Sequence, residues 1–289
     1  MTTSVRPSVV AGLFYPRDPV ELARTVDRLL EQAHQAREPT SAQAVIKGVV
    51  APHAGYVYSG PIAATAYDRL REGAERVRRI VLLGPTHRAY VRGLALAGVE
   101  AFQTPLGVIP VDMEAVASIA SLPQVVTSPG AHAREHSLEV HLPFLQRVFG
   151  REVSPGKREW PRELAVVPLA VGEATPAEVA EVLDRLWGGD ETRVVVSSDL
   201  SHFLGYRDAF RVDQATARRI TELEPVEGEH ACGARALNGL VALAKRRGLS
   251  IELLDLRSSG DTAGSREEVV GYGAFAIRER PTREAGGDT

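Results

Sequence analysis

Short runs rich in Val and Ile alternate along the chain with segments whose apolar residues recur every three or four positions. The first pattern predicts buried strands and the second amphipathic helices. Strands are expected over 44–51, 80–83, 164–170 and 193–198, with closing strands over 251–256 and 269–277. Asp18, Pro19 and Glu21 supply an N-cap, a first-turn proline and a capping-box partner for a helix carrying Leu22, Val26, Leu29, Leu30 and Ala33. Thr175 and Glu178 repeat that start before Val179, Val182, Leu183 and Leu186. Further helices are predicted after Ser59 through Tyr67, over 112–120, along Leu138, Leu142, Leu145 and Phe149, over 206–223, and over 234–247 up to Gly248.

Between these elements, 9–15 reads as a short strand or extended arm, and 37–42 as a polar connector. The stretch 93–101 reads as an antiparallel excursion, Pro105-Leu106-Gly107 as a turn, and 154–161 and 227–232 as loops. Strands alternating with helices predict an α/β fold: a mostly parallel or mixed central sheet with helices on both faces. No internal repeat or linker divides the chain, so one domain is expected over 1–280, with 281–289 as a flexible tail.

Three strands share a feature. The run 44–51 leads into Pro52-His53-Ala54-Gly55-Tyr56, 80–83 into Gly84-Pro85-Thr86-His87, and 194–196 into Ser197-Ser198-Asp199-Leu200-Ser201-His202. Ligands of open α/β sheets bind outside the carboxyl ends of the strands, so these tips are expected to converge on one site.

Composition changes little in this picture. The 289 residues are 44% hydrophobic and 25% charged, with a net charge of -3, as in ordinary globular proteins. Basic residues are interspersed with acidic ones, which argues against nucleic-acid or membrane-surface binding. The single cysteine, Cys232, forbids an intramolecular disulfide, and neither an apolar leader nor a membrane-length run stands out; a cytoplasmic protein is expected.

Neutral imidazoles held on rigid strand ends suit zinc, iron and copper, which makes His53 and His87 half of a metal site. Taken singly, each is better explained as bonding loop backbone; the repeated placement at strand ends is what brings the ligand reading level with it. Asp199 and His202 would face one cavity if their segment made a helical turn, with Asp199 as base or orienting group and His202 as ligand or proton donor. Capping of the next helix is the plainer role for Ser197, Ser198 or Asp199. Cys232 precedes a helix, whose dipole favours thiolate, and would add a sulfur to two imidazoles; buried packing is the alternative. In Glu135-His136-Ser137-Leu138-Glu139-Val140-His141 the carboxylates could bond metal-bound imidazole, accept a substrate proton, or simply occupy a helix first turn. A Ser-His-Asp set drawn from Ser59 or Ser201 with His202 and Asp199 has only sequence adjacency behind it.

At these residues the chain resembles the Memo family, whose bacterial and archaeal members are often called system protein B of the Ammecr, Memo and radical-SAM set. The matching stretches are Arg6 to Pro16, Pro52 to Gly60, Leu83 to His87, Glu135 to Phe144, Ser197 to His202 and Val270 to Gly273. The resemblance implies a fold similar to class III extradiol dioxygenases and a pocket in which His53, His87 and Cys232 hold Fe(II) or copper, with His202 beside them. It also implies Ammecr-type and radical-SAM proteins as partners. A thiolate in place of the dioxygenases' carboxylate changes softness and redox behaviour, so ring cleavage does not transfer with the fold. The leading expectation is a metal-binding redox protein or oxidoreductase in which His202, Asp199 and Glu135 manage protons. The alternatives are an adaptor that binds a peptide or small ligand without turnover, and a zinc-dependent hydrolase.

Overall fold

The computed structural model describes residues 3–37, 46–154 and 156–279. In chain order, β1 (Val5–Arg6) and α1 (Pro19–Gln35) precede β2 (Ile46–Ala51), α2 (Tyr56–Arg69) and β3 (Arg79–Pro85). Then come β4 (Leu94–Leu96), β5 (Ala101–Thr104), β6 (Gly107–Pro110), α3 (Met113–Ile119), β7 (Val125–Thr127), α4 (Pro129–Ala133) and α5 (Leu142–Phe149). The chain continues through β8 (Arg151–Ser154), β9 (Lys157–Glu159), β10 (Ala165–Val171), α6 (Pro176–Leu186), β11 (Thr192–Ser197) and β12 (His202–Leu204). It closes with α7 (Tyr206–Thr221), α8 (Ala234–Arg247), β13 (Ser250–Ser258) and β14 (Val269–Arg278).

The central sheet is mixed. Its middle strands run parallel in the order β2, β11, β3, β10, while β14 lies antiparallel against β2, and β4 antiparallel against β10. Side chains alternate between the faces. Val49 and Ala51 of β2, Ile80 and Leu82 of β3 and Val195 of β11 pack under α1, α2 and α5. Val50, Val81, Leu83, Val194 and Val196 face the apolar stripes of α6 and α8. Burial on both sides explains why these strands read as continuous apolar runs rather than alternating ones.

The caps foreseen at Asp18 and Thr175 are present, the second as a full capping box with Glu178. Several local expectations need correction. The helix after His53 starts at Tyr56 rather than after Ser59, so Pro61 lies inside it; the Gly55 carbonyl accepts the Tyr58 and Ser59 N–H groups, the Tyr56 N–H donates to the Phe14 carbonyl, and Ser59 Oγ turns back to donate to the Ala54 carbonyl. The segment 154–161 is partly a β8–β9 hairpin. Residues 199–202 make no helical turn: Leu200 N–H donates to the Gly271 carbonyl, Gly271 N–H to the Ser201 carbonyl, and β12 pairs with β14. Gly205, not Ser197, Ser198 or Asp199, caps the next helix. Val9 to Tyr15 is a turn closed by an Ala11–Tyr15 bridge. Most of the connector expected over 37–42, the first two residues of the strand expected from 44, and the tail 281–289 lie outside the described residues. No described helix is long and apolar enough to cross a membrane.

Candidate metal centre

Strand order brings the histidine tips together. β11 lies between β2 and β3, and strands are about 4.8 Å apart, so the backbones that carry His53 and His87 are separated by roughly 10 Å. The side chains close that gap: their ring centroids are 5.2 Å apart. A third ring joins from a distant segment, with His136 at 4.7 Å from His87 and 5.4 Å from His53. One ring nitrogen from each of the three lies within 4.8 Å of the others. His53 is buried, His136 half-buried and His87 exposed.

His136 gets there because its segment presses onto the β3 tip. A Cβ on Gly84 would stand 2.8 Å from Ser137 Oγ and 2.9 Å from Leu138 Cδ2, so the missing side chain permits the approach. Ser137 Oγ donates to the Pro85 carbonyl at 2.7 Å and fastens it.

Glu135 braces the pair. Its Oε1 accepts from His87 Nδ1 at 2.9 Å and from the backbone N–H groups of His136 and Ser137, both at 2.9 Å; its Oε2 accepts the His87 backbone N–H at 2.5 Å. Burial alone would raise this acid, but the bonds to His87 and Ser137 outweigh it and hold the acid down to about 2. An ionised carboxylate on Nδ1 fixes the proton there and leaves His87 Nε2 free, the arrangement that orients imidazole ligands. Burial, first among the causes, depresses the basicity of His53 and His136, so both rings are neutral near pH 7.

Asp199, at the β11 tip, accepts the His53 backbone N–H at 2.7 Å. Burial pushes its acid up, against the opposing bond from His53 and the field of His202. Cys232 stands just before α8, with Sγ 3.4 Å from His53 Nε2 and accepting the Asp199 N–H at 3.3 Å. Burial, and then the Asp199 carboxylate, push the thiol up, overriding the helix-terminus effect expected to favour thiolate. Cys232 therefore touches the group but lies outside its set of nitrogens. His202 sits half-buried on β12, also outside the set.

The sequence pattern of the Glu135–His141 segment points to its carboxylates and does not assign His136 to the cluster. The structure separates those carboxylates. Glu139 instead accepts from Arg6 at 2.7 Å, Tyr15 at 2.7 Å, and the Val9 and Val10 backbone, tying down the N-terminal arm. The density of ionisable residues in the segment was the available signal. A polar groove of about 760 Å³ between α1, α2 and β13 includes none of the three histidines in its lining.

Comparison with known proteins finds relatives along nearly the whole chain. A family model described as Memo-like protein matches residues 6–276. A MEMO1 family protein of Methanopyrus kandleri is 36% identical, over 94% of this chain and 99% of its own length. Relatives from Ignicoccus hospitalis and Aquifex aeolicus, both described as MEMO1 family proteins, are each 32% identical, over 93% of this chain and 97% of their own lengths. The chain belongs to the Memo family.

Proposed function

We propose that the protein is a metal-dependent redox protein, an oxidoreductase toward a small molecule, that holds Fe(II) or copper on His53, His87 and His136 with the Cys232 thiol alongside. The observation that carries this reading is the convergence of three imidazoles, two of them kept neutral by burial and the third braced by an ionised carboxylate. Such nitrogen donors fit both metals, and a neighbouring sulfur favours the softer copper. When bound, the metal supplies one-electron chemistry and a position for substrate.

The chain's own groups do the rest. Glu135 keeps the His87 proton on Nδ1. Asp199 accepts the backbone N–H of His53 and so holds its loop; its raised acid supports a role in taking or returning a substrate proton. The exposure of His87 and the half-burial of His136 leave the group open to ligand.

Zinc hydrolysis is the second reading, because three imidazoles with acids nearby also suit zinc. The two separate by reactivity. Protein loaded anaerobically with iron or copper should consume oxygen when given a reductant, and a His87→Ala variant should not. Chelator-sensitive ester cleavage by the zinc form, with no oxygen uptake by any form, would establish the hydrolase instead.

A further inference from the structure

Against the Nδ1 edge of His53 lies a line of buried polar groups that the site itself does not use. Ser197 ends β11 beside Ala51 of β2. Its Oγ has three close partners: the Ser137 carbonyl at 2.7 Å, His53 Nδ1 at 2.6 Å and His141 Nε2 at 2.7 Å. His141 Nδ1 lies 2.8 Å from the Tyr67 hydroxyl. Ser197, His141 and Tyr67 are fully buried, and His53 is nearly so.

Proton counting settles who donates. A hydroxyl has one proton and two lone pairs, and a carbonyl only accepts. The Ser197 proton therefore goes to Ser137, and both imidazoles must donate into the Ser197 oxygen. His53 accordingly carries its proton on Nδ1, because the other tautomer would set two lone pairs face to face at 2.6 Å. His141 carries its proton on Nε2, leaving Nδ1 to accept from Tyr67.

We propose that Ser197, with its oxygen oriented by Ser137, His141 and Tyr67, is the positioning residue that locks His53 in the Nδ1–H tautomer and keeps Nε2 free of a proton, with the Cys232 thiol 3.4 Å away as its neighbour. This rests on the metal reading only for the use made of the bare nitrogen. His141 is a positioning residue at one remove: its ring centroid is 6.5 Å from that of His53, and it acts through Ser197. The line gives His53 what Glu135 gives His87, but with a neutral hydroxyl in place of a carboxylate. The two ligands are therefore braced by groups of different charge.

The test is nitrogen NMR of ring-labelled histidine in metal-free protein, paired with titration by Fe(II) and Cu(I) under anaerobic conditions. Wild type should show His53 as a single Nδ1–H form. Ser197→Ala should show a tautomer mixture and bind metal 10- to 100-fold more weakly, the usual effect of losing such a partner, while Ser197→Thr should restore both. Tyr67→Phe keeps the ring that stacks on Phe144, so it serves if Ser197→Ala fails to fold; it should shift the His141 Nδ1 signal. A Ser197→Ala protein with unchanged His53 signals and wild-type affinity would overturn the inference, as would an unmoved His141 signal in Tyr67→Phe. A wild type with the expected His53 tautomer but no metal affinity would support the tautomer lock and sink the metal reading instead.

Discussion

Glu135 grips His87 at two points, taking the ring Nδ1–H on one oxygen and the backbone N–H on the other. Because the same carboxylate also gathers the backbone of His136 and Ser137, one side chain fixes two of the three imidazoles.

Glu135→Gln should therefore separate structure from metal affinity. The amide keeps the shape but supplies one acceptor where the carboxylate supplies two, and its NH₂ must face an N–H donor. A 10- to 100-fold loss of metal affinity is expected, at a stability cost of about 1–3 kcal/mol. Metal titration and urea unfolding measure the two effects, and wild-type affinity in this variant would contradict the bracing role.

Gly84→Ala tests the close approach that delivers His136. The added methyl meets Ser137 and Leu138 below 3 Å, so the segment must shift or the strand must bend. A loss of about 1–3 kcal/mol is expected, together with weaker metal binding. Unchanged values for both would mean that the 135–138 segment has slack.

The Arg6–Glu139 ion pair is buried, with side chains 6% and 0% exposed. Removing one partner strands the other charge, so Arg6→Met should cost about 3–5 kcal/mol, read as a shift of the denaturant midpoint. A loss below 1 kcal/mol would show that the Val9, Val10 and Tyr15 bonds satisfy Glu139 without the guanidinium.

His132 sets part of the acid response. Burial, partly offset by its bond to the Ala95 carbonyl, pushes its basicity down to about 4, against the ordinary 6.5 of the unfolded chain. Between those values the unfolded chain binds a proton that the folded one refuses. No stability is lost above pH 6.5, and the loss grows as pH falls toward 4, reaching about 3 kcal/mol. His53, His136 and His141 act in the same direction in the metal-free protein. His132→Gln should flatten unfolding free energy against pH over this window, and an unchanged slope would contradict the assignment.

How far the sequence disclosed all this depends on distance along the chain. The strands that carry His53 and His87 were readable because burial on both faces leaves unbroken Val and Ile runs, and the caps at Asp18 and Thr175 are local chemistry. β12 was not readable, because three residues carry no period and their ladder partner lies beyond α7 and α8. The approach of His136 depends on a contact between Gly84 and Ser137, which no local pattern encodes. For Cys232 the reading identified proximity to His53 but assumed a thiolate, because the cost of burial appears only once the surrounding packing is known. Local pattern offers Ser197 only as a helix cap, because its contacts with two imidazoles and a carbonyl come from the distant His53 and Ser137–His141 segments.

The most direct test of the central claim is metal analysis of protein purified and reconstituted without oxygen. The account predicts one iron or copper ion per chain in wild type, and its loss in the His53→Ala, His87→Ala double variant while the circular dichroism of the fold is retained. A folded wild type that takes up neither metal under these conditions would contradict it.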